Sequence, residues 1–502
     1  ASFECAAELL VGVWQRRGID PSEALGAFRA DPIGALAAAG TLPGGIDEAL
    51  AAAGRLAART HEAFPDVSAL GIDTGTYAEA GATPTQQLAT MLATGRQVLD
   101  AVTDGGLSLD QALAQVTITV ALDADIWGGI ALLRAARRCW SHLALAAGAS
   151  EAAAAASVHA RTSSAMLTRR DPWVNLLRGT AATVAGALGG AESITVAPFD
   201  ASLGGHSDGF ARRMARNTQL LAQEESGLGR VVDAAGGSWY VESLTDSLCT
   251  AAWETFQQIE GGGGMVAALT SGWWGDEIAR ERTATLEQVA TRARPITGVS
   301  EFPLLDEEPV HRPSRDLDEL RRAALAAWPH SADGAAPLTP ATVLPAPLTP
   351  VRWAEGWEAL RQRSDDTLAA TGARPRVFLA NLGPAAVHTA RASWARNAFE
   401  AGGIEALDNA GFDSPEALAS AFVDCGASLA IVCSSDAVYD EWGEAAVTAL
   451  DAAGPARLYV AGRARPAFDE VAGSIAADAG VGVNLLDLLG DAHDAARHVS
   501  TP

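Results

Sequence analysis

"VFLANLGPAAVHTARASWARNAFEAGG", residues 377–403, opens like an α/β domain. The apolar run Val377–Ala380 has the length and composition of a strand buried on both faces. Gly383 and Pro384 follow at once as turn residues, and a helical stretch comes next. Downstream the alternation repeats. Strands are predicted at RVFLA, GIEAL, LAIVC, ARLYVA and GVNLLD, with helices near 390–401, 414–425, 437–452 and 466–479. That pattern over 376–502 is a flavodoxin-like doubly wound domain, whose ligands bind in loops at the carboxyl ends of strands, near the switch point. His388 sits in the first such loop. A metal-ligating histidine needs a carboxylate to fix its tautomer, and the nearest acid after Gly383 is Glu400, a helix away. One glycine followed by proline is also a poor phosphate cradle. The residues therefore read as a loop or helix-start histidine that holds no metal.

The same alternation lies upstream. SALGIDTG (68–75), VTITVAL (116–122), SVHARTSS (157–164) and SITVAP (193–198) each precede a helical stretch. Strand then helix, repeated, predicts a parallel sheet covered by helices. Asp171 is expected to cap the third of these helices, with Pro172 at its first position. Residues 3–64 read as mostly helical. Four strand–helix units are half of what a closed barrel needs. The sheet is thus open, or the first part of a barrel lies outside this chain. Residues 237–293 read as helical, broken by GGGG at 261–264, and RPITGVSEFP as extended. The Pro- and Ala-rich SADGAAPLTPATVLPAPLTPVRW marks a linker, flanked by helical RDLDELRRAALAAW and AEGWEALRQRSDDTLAA. The expected boundaries are 1–302, a linker at 303–375, and 376–502.

Composition excludes several functions. A net charge of −25 argues against a nucleic-acid binder and against docking on an anionic membrane. The chain has no lysine, so no Schiff base, lysine general base or P-loop lysine can come from it. Its 5 cysteines form no C-x-x-C, which reads as a reducing, cytoplasmic protein with buried thiols. The opening ASFECAAELL lacks a secretory pattern. The Ala-rich run SHLALAAGASEAAAAASVHA is too weakly apolar to span a membrane.

Several blocks carry a resemblance. DPWVNLLRGT, GGAESITVAPFD, ARNTQLLAQEESGLGRVVDAAGGSWYVESLTDSL, FQQIEGGGGM and RPITGVSEFP, in this order, resemble signatures of the methylmalonyl-CoA mutase family. The resemblance implies a partial (β/α)8 TIM barrel followed by a cobalamin-binding-like flavodoxin-fold domain. Cobalamin-binding members carry D-x-H-x-x-G after the first strand of that domain, with the histidine as lower cobalt ligand. Here the frame is Ala386-Val387-His388-Thr389-Ala390-Arg391. Ala386 replaces the aspartate and Arg391 the glycine, so this chain is expected to bind neither cofactor nor metal.

VFLANLG, LAIVCSSDAVY and ITGVSEFP resemble the small subunits of heterodimeric members. The resemblance implies an inactive chain paired with a catalytic large subunit. That partner holds adenosylcobalamin and interconverts methylmalonyl-CoA and succinyl-CoA. His159 matches a histidine that contacts the acyl carbonyl in catalytic subunits; here it is expected to be vestigial. Gln219 and Glu242 match polar groups on the barrel's cofactor-facing side, with the same expectation. In that block Asn217 and Asp233 should tie loops, Gly236 and Gly237 supply the turn, and Trp239 and Tyr240 pack. Two alternatives remain: a regulatory module with a degenerate acyl-CoA or nucleotide pocket, and an autonomous divergent acyl-CoA mutase.

Overall fold

The apolar runs of the sequence become the central strands of two parallel sheets. The protein was analysed as a computed structural model, which describes residues 2–204, 207, 209–310, 319, 322, 340–463, 468 and 477–499. The chain divides into two compact units. One holds residues 1–167, 175–282 and 311–352; the other holds 168–174, 283–310 and 353–502.

In the first unit the strands are β1 (Gly26–Ala30), β2 (Thr41–Pro43), β3 (Val67–Asp73), β4 (Val116–Leu122), β5 (Val158–Thr162), β6 (Ser193–Thr195) and β7 (Pro340–Val343). The main sheet is parallel, in the order β1-β3-β4-β5-β6. It forms a curled half-barrel, consistent with a partial TIM-type barrel. β2 and β7 form a separate antiparallel pair, so the Pro-rich stretch read as linker contributes a strand.

The two faces of the main sheet differ. Leu70, Ile72, Ile118, Val120, Leu122, Val158 and Ala160 join the helices in one apolar core. The alternate residues, among them Thr117, Thr119, His159 and Arg161, line the other face, as the period of two requires. Helix Pro84–Asp104 starts with a capping box of Thr83 and Gln86. Helix Ile126–Ala146 starts on Asp125, whose carboxylate accepts from Gly128 N at 3.0 Å. Helix Trp239–Gly261 packs on both. A Cβ added to Gly95 would stand 2.4 Å from the Trp140 ring, so this glycine lets the two interior helices meet closely.

The structure corrects three readings here. Residues 26–30 are a strand within the stretch read as helical. Asp171 does not cap a helix: it has φ 43°, and the helix begins at Val174. Trp239 and Tyr240 do not pack; they are 92% and 62% exposed. The buried stripe of their helix runs instead through Val241, Thr245, Ala252, Phe256 and Ile259.

In the second unit β8 (Arg376–Asn381), β9 (Glu405–Leu407), β10 (Leu429–Cys433), β11 (Arg457–Ala461) and β12 (Ala477–Ala479) form one parallel sheet. Its order is β12-β11-β10-β8-β9. The chain leaves β8 in one direction to β9 and returns on the other side to β10, so the switch point lies between β8 and β10. One face packs Phe399, Ala395 and Leu489; the other packs Phe422, Tyr439 and Phe468.

The predicted last strand, GVNLLD, is not a strand. Leu485 begins the helix Leu485–Val499 and is buried with Leu488 and Leu489 at helical spacing. Most of the helix predicted at 466–479 lies outside the described residues, and 477–479 are β12. The segment RDLDELRRAALAAW also lies almost wholly outside them, whereas AEGWEALRQRSDDTLAA forms the helix Glu355–Thr371. No described helix is long and apolar enough to cross a membrane.

Candidate functional site

The second sheet should present a ligand at the carboxyl ends of β8 and β10. After β8 the chain passes through Leu382, Gly383 and Pro384 and enters the helix Ala385–Ala401. Ala386, His388 and Arg391 all lie in that helix, not in a loop. His388 is 4% exposed. Its Nε2 stands 3.4 Å from Ala410 O, longer than a good hydrogen bond. Its Nδ1 is buried with no hydrogen-bond partner among the described residues. The backbone around Gly411 covers the ring. Gly411 has φ 99°, and a Cβ there would stand 2.0 Å from Gly383 O and 3.1 Å from His388 Nε2. The nearby carboxylate of Asp408 accepts from Asn381 Nδ2 at 2.9 Å and pairs with Arg396. Among the described residues no cluster of three His, Cys, Asp or Glu could hold a metal.

Arg391 reaches across the switch point. Its Nη1 donates to Ser434 O at 2.5 Å, its Nη2 pairs with Asp436, and its guanidinium lies 4.9 Å over the Tyr439 ring. Ser434 Oγ in turn donates to Leu382 O at 2.8 Å, tying the ends of β8 and β10 together. Fully buried Tyr439 accepts from Ser434 N at 3.0 Å, and its hydroxyl faces Val432 O at 2.9 Å and Ala461 O at 3.2 Å. Burial pushes the Tyr439 hydroxyl above its usual range, so it remains a donor. Side chains of Arg391, Ser434 and Tyr439 thus bond across the switch point.

The first unit's candidates lie elsewhere. Register places Asp73, Thr119, His159 and Ser193 in one row across β3 to β6. His159 is 6% exposed and its Nδ1 lies 2.7 Å from Ser193 Oγ. Burial, helped by the Arg29 and Arg161 cations, pushes its pKa down to about 4. The imidazole is neutral at physiological pH. Arg161, two residues on and on the same face, donates to Glu79 at 2.5 Å and stands 3.6 Å from Asp73. It lies so close to Gly75 that an added Cβ would meet it at 2.1 Å. Arg161 and Asp73 were not among the sequence candidates. The strand's period of two, counted from His159, is the signal that finds Arg161.

Gln219 and Glu242 do not join this row. Gln219 lies on the helix Gly209–Leu220, with its amide 3.4 Å from Ala215 O. Glu242 accepts from Arg134 at 2.8 and 3.1 Å and from Gly237 N at 2.9 Å. Those bonds, the Arg134 side chain first, hold its carboxyl below the usual range. Arg134 also grips Asp233, at 2.8 and 3.1 Å, so the trio ties the 233–242 turn to a helix. A cleft of about 840 Å³ opens beside it. Each arginine in the cleft already faces a carboxylate: Arg134 as above, Arg137 with Glu192 and Arg138 with Asp246.

Comparison with known proteins agrees with the resemblance. The family profile for methylmalonyl-CoA mutase matches residues 3–335. The methylmalonyl-CoA mutase small subunit of Streptomyces virginiae is 46% identical over 91% of this chain and 69% of its own length. The small subunit from Propionibacterium freudenreichii subsp. shermanii is 34% identical over 93% of this chain and 68% of its own length. A probable small subunit from Mycobacterium bovis is 39% identical over 83% of this chain and 62% of its own length. The chain thus spans about two thirds of the length of these curated relatives. A profile matching most of the chain and relatives aligned along both units lead to one conclusion: the chain belongs to the methylmalonyl-CoA mutase family.

Proposed function

We propose that the chain is the non-catalytic small subunit of a heterodimeric, adenosylcobalamin-dependent methylmalonyl-CoA mutase. In this reading it stabilises a catalytic large subunit that interconverts methylmalonyl-CoA and succinyl-CoA in the cytoplasm. The second unit is a flavodoxin-like domain of the cobalamin-binding type that has lost its ligand, with the strand order 2-1-3-4-5 in its support.

One observation carries the reading: Ser434, Arg391 and Tyr439 spend their polar groups on one another and on the backbone across the switch point. The residues present do not fit a cobalamin. The His388 ring is covered by the Gly411 backbone and has no carboxylate to orient it. Arg391 puts a cation where the family's frame has glycine. Neutral, buried His159 and paired Glu242 then act as structural residues. An intact pocket around His159 would favour the acyl-CoA-binding alternative. Against it, Nδ1 is engaged by Ser193 and the neighbouring charges pair with one another.

The test is reconstitution. The chain is mixed with a catalytic large subunit from a related bacterium, and complex formation and mutase activity are measured. The proposal expects a heterodimer, no turnover by the chain alone, and a large subunit that resists heat longer in the complex. Turnover by the chain alone, or no association with any large subunit, would overturn it.

A further inference from the structure

Two of the cysteines meet inside the first unit. Cys139 is on the helix Ile126–Ala146 and Cys249 on the helix Trp239–Gly261, and the two helices pack together. Cys249 Sγ lies 3.9 Å from Ala135 O, the carbonyl one turn before Cys139. Helical side chains lean toward the N-terminus, so the Cys139 sulfur lies over that same turn. The two sulfurs therefore share one turn of the helix pair, and each thiol shifts the titration of the other. Both are free thiols, Cys139 buried and Cys249 half-buried. A cleft lined by Arg134, Arg138 and Thr245 lies one helical turn from Cys249, which is itself half-buried.

We propose that Cys139 and Cys249 form a reversible disulfide, with hydroperoxides as the class of oxidant. Cys249 is the attacking sulfur. The hydrogen bond from Cys139 and then the Arg138 cation favour its thiolate, while the same pairing holds the proton on Cys139. The Cys249 thiolate attacks one peroxide oxygen, the O–O bond breaks and hydroxide leaves, giving a sulfenic acid. The Cys139 sulfur then attacks the Cys249 sulfur. The S–O bond breaks, the S–S bond forms, and water leaves with the Cys139 proton. Two thiols lose two electrons, and one peroxide becomes two waters. A low-molecular-weight thiol reverses the bond by exchange. Cys5, Cys425 and Cys433 lie on other elements and serve as internal controls. Burial pushes the Cys433 thiol up, which makes it inert.

The experiment uses the full chain, reduced and then exposed to hydrogen peroxide. Free thiols are counted after denaturation, and peptides are mapped by mass spectrometry without reductant. The count should fall from the 5 of the sequence by two. One cross-linked peptide pair should contain Cys139 and Cys249, and dithiothreitol should restore both. In Cys139→Ser, which keeps a donor beside Cys249 but cannot form the disulfide, Cys249 should stop at the sulfenic acid and be captured by dimedone. Cys249 remaining a thiol in the unsubstituted chain, or pairing with another cysteine instead, would overturn the proposal.

Discussion

Both sheets carry clusters of polar groups and use them differently. The row on the first sheet keeps a neutral histidine, an arginine and carboxylates on one face, paired among themselves. The second sheet seals its switch point with a hydroxyl bridge, an arginine and a buried tyrosine. Polar residues clustered on a sheet are therefore not enough to mark a site. What counts is whether their bonds are spent within the chain. In the first unit they balance charge on one face of the sheet; in the second they tie the ends of β8 and β10 together.

Substitution of the covering glycine should separate the two sheets most sharply. Gly411→Ala combines φ 99° with a Cβ 2.0 Å from Gly383 O, and should cost about 3 kcal/mol from strain and displaced packing. Urea unfolding should show the loss in the second unit while the first keeps its midpoint. An unchanged second unit would mean that the 409–412 loop does not press on His388.

Tyr439→Phe comes next. It leaves the Ser434 N–H and the carbonyls of Val432 and Ala461 short of a partner in a buried place, and should cost about 2 kcal/mol. The same measurement on Ser193→Ala should give about 1 kcal/mol or less, because exposed Ser193 makes one bond to His159. Equal losses would erase the contrast between a sealed crevice and a balanced face.

A pH series probes the first sheet alone. The His159 pKa lies near 4 when folded and about 6.5 when unfolded. Between those values the unfolded chain binds more protons, so this group's contribution to stability falls as pH drops through the window. The loss should be on the order of 1–2 kcal/mol by pH 4. Asp31, raised to about 6 by burial, has the opposite sign: its folded form holds the extra proton, and its contribution rises as pH falls. The useful quantity is thus the difference between the wild-type chain and His159→Gln, which should narrow as pH falls. A difference independent of pH would show that His159 is not desolvated.

Glu242→Gln should do least, with an unfolding midpoint close to that of the wild type, because exposed ion pairs contribute little. A large effect would make the Arg134 clamp more than a surface tie.

Much of this contrast was legible in the sequence. VTITVAL, RVFLA, LAIVC and ARLYVA are mostly apolar or β-branched because both faces are largely buried, and all four became strands. GAFRA was not legible: Arg29 has φ 54° and interrupts the alternation of a five-residue strand inside Ala-rich sequence. GVNLLD misled because a short apolar run reads alike as a strand or a helix start. The loss of the family's aspartate and glycine at Ala386 and Arg391 was visible. The partners of Arg391 were not, since Ser434 and Asp436 lie 43 and 45 residues away. The exposure of Trp239 and Tyr240 is likewise set by which side of a helix faces the core, which the motif alone does not specify.

The proposed small-subunit role requires that the second unit bind no cobalamin. Equilibrium dialysis of the isolated chain against adenosylcobalamin, read by absorbance, tests it directly, with the mixture of chain and catalytic large subunit as the control. The expected result is no retention by the chain and stoichiometric retention by the mixture. Stoichiometric retention by the chain alone, with the base-off spectrum of histidine ligation, would contradict it and make His388 the ligand.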